Sequence, residues 1–185
     1  GVFYSTTSYT GANFNCFREE DEFDLSTLLQ PEDDSLENFV LKDNNLSSIK
    51  YSPEFITNKD PQNPTNRIST SLFSRERLAM LLKYGFAYVR NESGLEKHMM
   101  RYPQFFATRA IEKTLESGAK KGIIWHTQGS GKTALAFYNV QYLTDYFQRK
   151  GVVPKFYFIV DRIDLLNQAK REFTSRGLTV NTIST

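Results

Sequence analysis

A chain of 185 residues with 39% hydrophobic side chains can bury one ordinary core or two small ones, so one or two globular domains are expected. The lone Cys16 excludes an internal disulfide and a cysteine-rich zinc site, and no apolar run approaches the ~20 residues of a membrane span, so a soluble, cytoplasmic protein is expected. The net charge of +2 conceals an asymmetry: residues 1–84 carry 8 basic and 13 acidic side chains, whereas residues 85–185 carry 15 and 8. A basic second half suits a phosphate backbone, and equally suits an ordinary solvated surface.

The opening GVFYSTTSYTGANFNCF is rich in β-branched and aromatic residues interrupted by Gly11 and Asn13, which predicts two short strands joined by a turn. An acidic polar stretch follows, then a weakly patterned, proline-containing region up to about residue 70, read as loop with short helices. Leu78, Leu81 and Leu82 recur at helical spacing, with Ser74 as a cap and Gly85 as a left-handed stop, predicting a helix over 74–84.

In RYPQFFATRAIEKTLESG, Pro103 sits in a first helical turn, Phe106, Ala110 and Leu115 share one face, and Gly118 ends the helix. GIIWHT then reads as a short buried strand. A helix over about 131–149 carries Ala136, Val140, Leu143 and Phe147 on its inward face. KFYFIVD is a second buried strand, RIDLLNQAKREFTSRG a helix with Leu166, Ala169 and Phe173 inward, and LTVNTI a third strand. Alternating strands and helices predict an α/β fold with a parallel sheet.

Between the first of these strands and its helix lies WHTQGSGKTA. In the phosphate-loop pattern G-x-x-x-x-G-K-[ST], the second glycine, lysine and hydroxyl fall on Gly131, Lys132 and Thr133, while His126 occupies the first glycine position. Gly129 and Gly131 supply the unusual backbone angles that let amide N–H groups approach phosphate oxygens. Thr127, Gln128, Gly129, Ser130, Gly131, Lys132 and Thr133 are therefore the expected nucleotide-binding residues. Lys132 would act on the β- and γ-phosphates as the catalytic cation, Thr133 would ligate Mg²⁺, and the following helix would aim its positive end at the anion. ATP and Mg²⁺ are the expected cofactors. His126 is read as positioning the loop, with no proton-transfer role.

GIIWHTQGSGKT followed by FYFIVDRIDLLNQAKREF resembles the start of the motor in the restriction (R) subunit of type I restriction-modification enzymes, which are superfamily 2 DNA translocases. The carriers of the likeness are Trp-His-Thr before the glycines, and Asp161, Arg162, Asp164, Leu165 and Gln168 after the second strand. The resemblance implies that Gln104, in an Arg-Tyr-x-Gln segment, reads adenine, and that Arg162 abuts the DNA backbone, unless Arg162 merely pairs with Asp161 or Asp164. It implies a partial RecA-like parallel sheet with flanking helices over residues 101–185, connecting helices over 71–100, and over 1–70 the tail of a nuclease domain with a loop-rich linker. Implied partners are double-stranded DNA and the modification and specificity subunits of the complex.

The likeness is strong over residues 101–185, fainter over 65–100, and positional before that. A motor of this class needs a D-E-x-[HD] box downstream of the loop, and the expected place for it lies beyond residue 185. Asp21-Glu22-Phe23-Asp24 spells the box but lies upstream in an acidic run, and reads as solvated charge. No Glu-x-Lys or Asp-x-Lys nuclease pair occurs. The expectation is an internal fragment of a type I site-specific deoxyribonuclease with ATPase activity, able to bind ATP-Mg²⁺ but inactive by itself in hydrolysis and cleavage. Two other readings stay open: a fragment of a different superfamily 2 helicase or translocase, and a non-enzymatic docking module.

Overall fold

The computed structural model of the protein describes residues 2–5, 14–19, 22–29, 31–60, 68–92 and 94–183. Two compact units are separable, one from residues 1–3 and 16–79, the other from residues 4–15 and 80–185. Strands β1 (Val2–Ser5) and β2 (Phe14–Phe17) pair in a two-stranded sheet, in line with the two strands expected there. The turn expected between them lies outside the described residues.

The first unit is built from short helical pieces, three of which start on side-chain caps. Asp24 accepts the Ser26 N–H at 2.9 Å and opens a 3₁₀ turn over Leu25–Leu28. Asp33 accepts the Leu36 N–H at 3.0 Å at the start of α1 (Asp34–Asp43), and Ser52 with Pro53 opens α2 (Pro53–Asn58). Leu25 and Leu72 are buried in this unit. The buried Glu19 carboxylate accepts from Arg77 and Ser71, and the Arg77 guanidinium lies 5.3 Å from the centre of the Phe23 ring. Part of the acidic run thus has structural work: Glu19 anchors Arg77, and Asp24 is a cap.

Helix α3 (Arg75–Tyr84) falls within the span predicted for it, with three local corrections. The Ser74 hydroxyl donates to the Ser71 carbonyl at 3.1 Å instead of capping the helix, and Leu82 is exposed while Met80 and Leu81 are buried. Gly85 is required, but not for a left-handed stop. A Cβ there would stand 2.7 Å from the Leu81 carbonyl oxygen and 2.9 Å from its Cα, so close approach of backbone excludes a side chain.

Only the first part of 71–100, expected as connecting helices, is helical: strands β3 (Phe86–Asn91) and β4 (Gly94–Met99) form an antiparallel hairpin there, with register from Phe86 opposite Met99 to Asn91 opposite Gly94. Three long helices follow: α4 (Tyr102–Glu116), α5 (Lys132–Gln148) and α6 (Ile163–Ser175). Phe105 of α4 and Phe137 of α5 are each 1% exposed, and Leu135, Tyr138, Tyr142 and Tyr146 complete the buried face of α5. That face is displaced by one position from the predicted one, because tyrosine rings provide most of it and residues 136, 140, 143 and 147 are only half-buried. Ala110 of α4 is likewise exposed. Ala169 and Phe173 of α6 are buried as predicted.

The described residues combine helices with two-stranded sheets, and the expected parallel sheet is not formed among them. The runs 122–127, 155–161 and 178–183 belong to no strand, and Ile123, Trp125 and Ile159 are 91–92% exposed. A parallel strand requires hydrogen-bonded neighbours and cover on both faces. Here α5 packs against α4 and α6, and of the second run only Phe158 finds a ring partner, Phe173, at 5.3 Å. No helix among the described residues is long and apolar enough to cross a membrane.

Candidate nucleotide-binding site

The segment 127–133 is shaped by two glycines in left-handed conformations, Gly129 at φ 77° and Gly131 at φ 81°. Gly131 is the residue on which α5 starts, and it has no side chain to cap the helix. The first N–H groups of α5 therefore point out of the helix end without intrahelical acceptors, carrying the positive end of the helix dipole. Lys132 is the first helical residue and is exposed; Thr133, the second, is half-buried.

The loop closes on one carbonyl. The Thr127 oxygen accepts from the Lys132 ammonium at 2.8 Å and from the Ser130 hydroxyl at 2.8 Å. Gln128 and Gly129 are exposed at the tip. His126 enters the loop half-buried, and its Nδ1 is a buried atom without a hydrogen-bond partner among the described residues.

Gln104 is brought to this loop from α4. Its Oε1 accepts the Arg101 N–H at 2.8 Å, its Nε2 donates to the Gly131 carbonyl at 3.1 Å, and it is buried. Helix α4 places it by a local device: at the third position of the helix a glutamine reaches back to the residue that opens it. The sequence pattern locates Gln104 but carries no sign that both ends of its amide are engaged. A Cβ on Gly131 would run into that amide, so the glycine serves the glutamine as well as the backbone turn.

These residues fit a polyphosphate by their chemistry. Left-handed glycines, an uncapped helix start and an adjacent exposed ammonium bring donors together at one helix end. Among the described residues no cluster of three or more His, Cys, Asp or Glu forms a metal-holding group, so the only expected metal ligand in the loop is the Thr133 hydroxyl. Arg162 lies apart from the loop in sequence, exposed at the residue that opens α6, and among the described residues it makes no ion pair with Asp161 or Asp164.

A charged cluster that the sequence does not announce buttresses α5. Tyr84 donates to Asp145, Lys83 lies 3.2 Å and Arg149 3.3 Å from the same carboxylate, and the Tyr84 and Tyr142 rings meet edge to face at 4.9 Å. The hydrogen bond from Tyr84, with that from Lys83, holds the Asp145 carboxyl below its usual range. Burial pushes the Tyr138 phenol up to about 12, and burial together with a hydrogen bond to Glu112 raises that of Tyr142.

Residues 97–184 match the family described as "Type III restriction enzyme, res subunit". A Methanocaldococcus jannaschii protein named as a type I restriction enzyme endonuclease subunit is 37% identical over 103 residues, covering 50% of this chain and 9% of that protein. A type I restriction enzyme endonuclease subunit of Staphylococcus aureus is 31% identical over 145 residues, covering 77% of this chain and 15% of that protein. One from Staphylococcus saprophyticus is 36% identical over 85 residues, covering 46% and 9%. The chain thus spans 9–15% of the length of these relatives. No solved structure matches it.

Proposed function

We propose, from the premise that the chain belongs to the endonuclease-subunit family of type I restriction enzymes, that it is the nucleotide-gripping part of an ATP-dependent DNA-translocating and DNA-cleaving subunit. The observation that carries the reading is the conjunction of left-handed Gly129 and Gly131, Lys132 at the first turn of α5, and Gln104 held against the same loop.

In this reading the N–H groups from Gly129 to Thr133 hold the phosphates, with Thr127, Gln128 and Ser130 shaping the loop around them. Lys132 leaves the Thr127 carbonyl to neutralise the β- and γ-phosphates, and the Thr133 hydroxyl ligates Mg²⁺. The ion, when bound, supplies charge neutralisation across the phosphates. Gln104 reads adenine by giving up its tie to Gly131 for the base edge. Arg162 contacts the DNA backbone. In the whole subunit the apolar runs 122–127, 155–161 and 178–183 become the strands of a RecA-like parallel sheet, residues 1–70 are the tail of a nuclease domain with its linker, and residues 71–100 are the connection. Double-stranded DNA and the modification and specificity subunits are the partners of the whole protein. The 185-residue chain binds ATP-Mg²⁺ without hydrolysing it or cutting DNA.

Equilibrium titration of the chain with ATP-Mg²⁺ tests this. Lys132→Ala should weaken binding at least tenfold, and Gln104→Ala should narrow the preference for ATP over GTP. Equal affinity of wild type and Lys132→Ala would remove the phosphate-loop assignment.

A further inference from the structure

A groove of about 710 Å³ lies between the β3–β4 hairpin and the C-terminal half of α6. Its walls carry four cations, Arg90 from the hairpin and Lys170, Arg171 and Arg176 from α6 and its end, together with Tyr88 and Leu95. No acidic side chain lines it. Lys170 lies eight residues along from Arg162, roughly 12 Å at helical rise, so the groove occupies a different part of the α6 surface from the residue that opens the helix.

The four cations are not equivalent. Arg176 is almost buried; it pairs with Glu172 and stacks 6.0 Å above Phe137, which fixes it as part of the wall. Arg90, Lys170 and Arg171 are exposed, and among the described residues none of them has an ion-pair partner. Three uncompensated cations that converge from two elements repel one another unless an anion joins them. The negative end of α6 offsets only roughly half a charge of this excess. Beside them on the hairpin Tyr88 is 59% and Leu95 64% exposed. Isolated cations are ordinary surface. Cations lining one open groove together with an exposed aromatic ring suit a strand that offers phosphates and unstacked bases alternately.

We propose that this groove is a phosphodiester-binding site for a single strand of nucleic acid, in which Arg90, Lys170 and Arg171 hold the backbone and Tyr88 stacks a base. The site goes beyond the nucleotide-loop reading and does not depend on it, since none of its residues belongs to the loop. Duplex DNA shares the phosphates but keeps its bases stacked, so Tyr88 separates the two forms of ligand.

The test is fluorescence anisotropy of the 185-residue chain with a labelled 20-nucleotide single strand and with the same sequence as duplex, across a salt series. The single strand should bind more tightly. The triple variant Arg90→Glu/Lys170→Glu/Arg171→Glu should weaken it more than tenfold and flatten log K against log salt by about 2, at ~0.7 per lost phosphate contact. Tyr88→Ala should weaken the single strand severalfold and leave the duplex unchanged. ATP-Mg²⁺ affinity and the far-ultraviolet circular dichroism of the triple variant should match wild type. If the triple variant does not fold, Arg171→Glu alone should lower the slope by about 0.7. No binding by the wild type, or an unchanged affinity and slope in the folded triple or single variant, overturns the site. Equal binding of duplex and single strand with a silent Tyr88→Ala overturns its assignment to a single strand.

Discussion

Helices α4 and α5 and the apolar runs around them meet opposite fates, although the runs are the more apolar in sequence. Phe105 and Phe137 are buried almost completely, whereas Ile123 and Ile159 stand over 90% exposed. The difference lies in where backbone hydrogen bonds come from. A helix satisfies its own N–H and C=O groups and needs only one apolar face covered, which α4 and α5 do for each other. A strand satisfies none of its own and acquires stability only from a hydrogen-bonded neighbour, as β3 and β4 give each other.

The sharpest way to test that contrast is to truncate matched side chains. Phe105→Ala should cost about 3–5 kcal/mol in a urea melt, as a buried aromatic loses its contacts and leaves a cavity. Ile159→Ala should change stability by less than about 0.5 kcal/mol, as at an ordinary surface position; a larger loss would mean that the run is covered in solution.

Next in size is Gln104, whose amide joins α4 to the loop. Gln104→Ala leaves the Arg101 N–H and the Gly131 carbonyl without their partner and should cost about 1–3 kcal/mol. It should also raise the rate of proteolysis within 127–131, which no substitution in 155–161 should do.

A smaller and more local effect separates the two loop glycines. Gly129→Ala meets open space and faces only its left-handed angle, about 1 kcal/mol, while Gly131→Ala adds a collision with the Gln104 amide. Thermal melts should therefore rank Gly131→Ala below Gly129→Ala.

The smallest effect concerns pH. Burial raises the Tyr138 phenol from about 10 to about 12, so its contribution is complete below about pH 10 and is lost as pH rises toward 12. On the order of 1 kcal/mol should disappear by pH 11, and Tyr138→Phe should show a smaller drop between pH 9 and 11. The cluster at Asp145 acts at the other end. Its carboxyl is held low, so its contribution is present above the ordinary carboxylate range and lost as pH falls through the folded value.

Local signals make the helices legible: Pro103 in the first turn of α4, Gly118 at its left-handed exit, and the Ala169–Phe173 stripe of α6. The inward face of α5 was legible only to within one residue, since a tyrosine is scored for its hydroxyl but packs with its ring. The loop residues announce themselves by composition. The Gln104 tie to Gly131 and the approach of Lys83 and Tyr84 to Asp145 do not, because they join residues 27 to 62 positions apart. The parallel sheet depends on pairings between segments, which the alternation of one run with the next cannot specify.

Trp125 is the chain's single tryptophan and stands 91% exposed at the entrance to the loop. Its indole is therefore an intrinsic optical gauge of the run it belongs to. In water it emits at long wavelength and is open to quenching by iodide. Any event that seats residues 122–127 between neighbouring strands must shift that emission to the blue and shield it, so assembly around the loop can be followed in an unlabelled sample with no engineered probe.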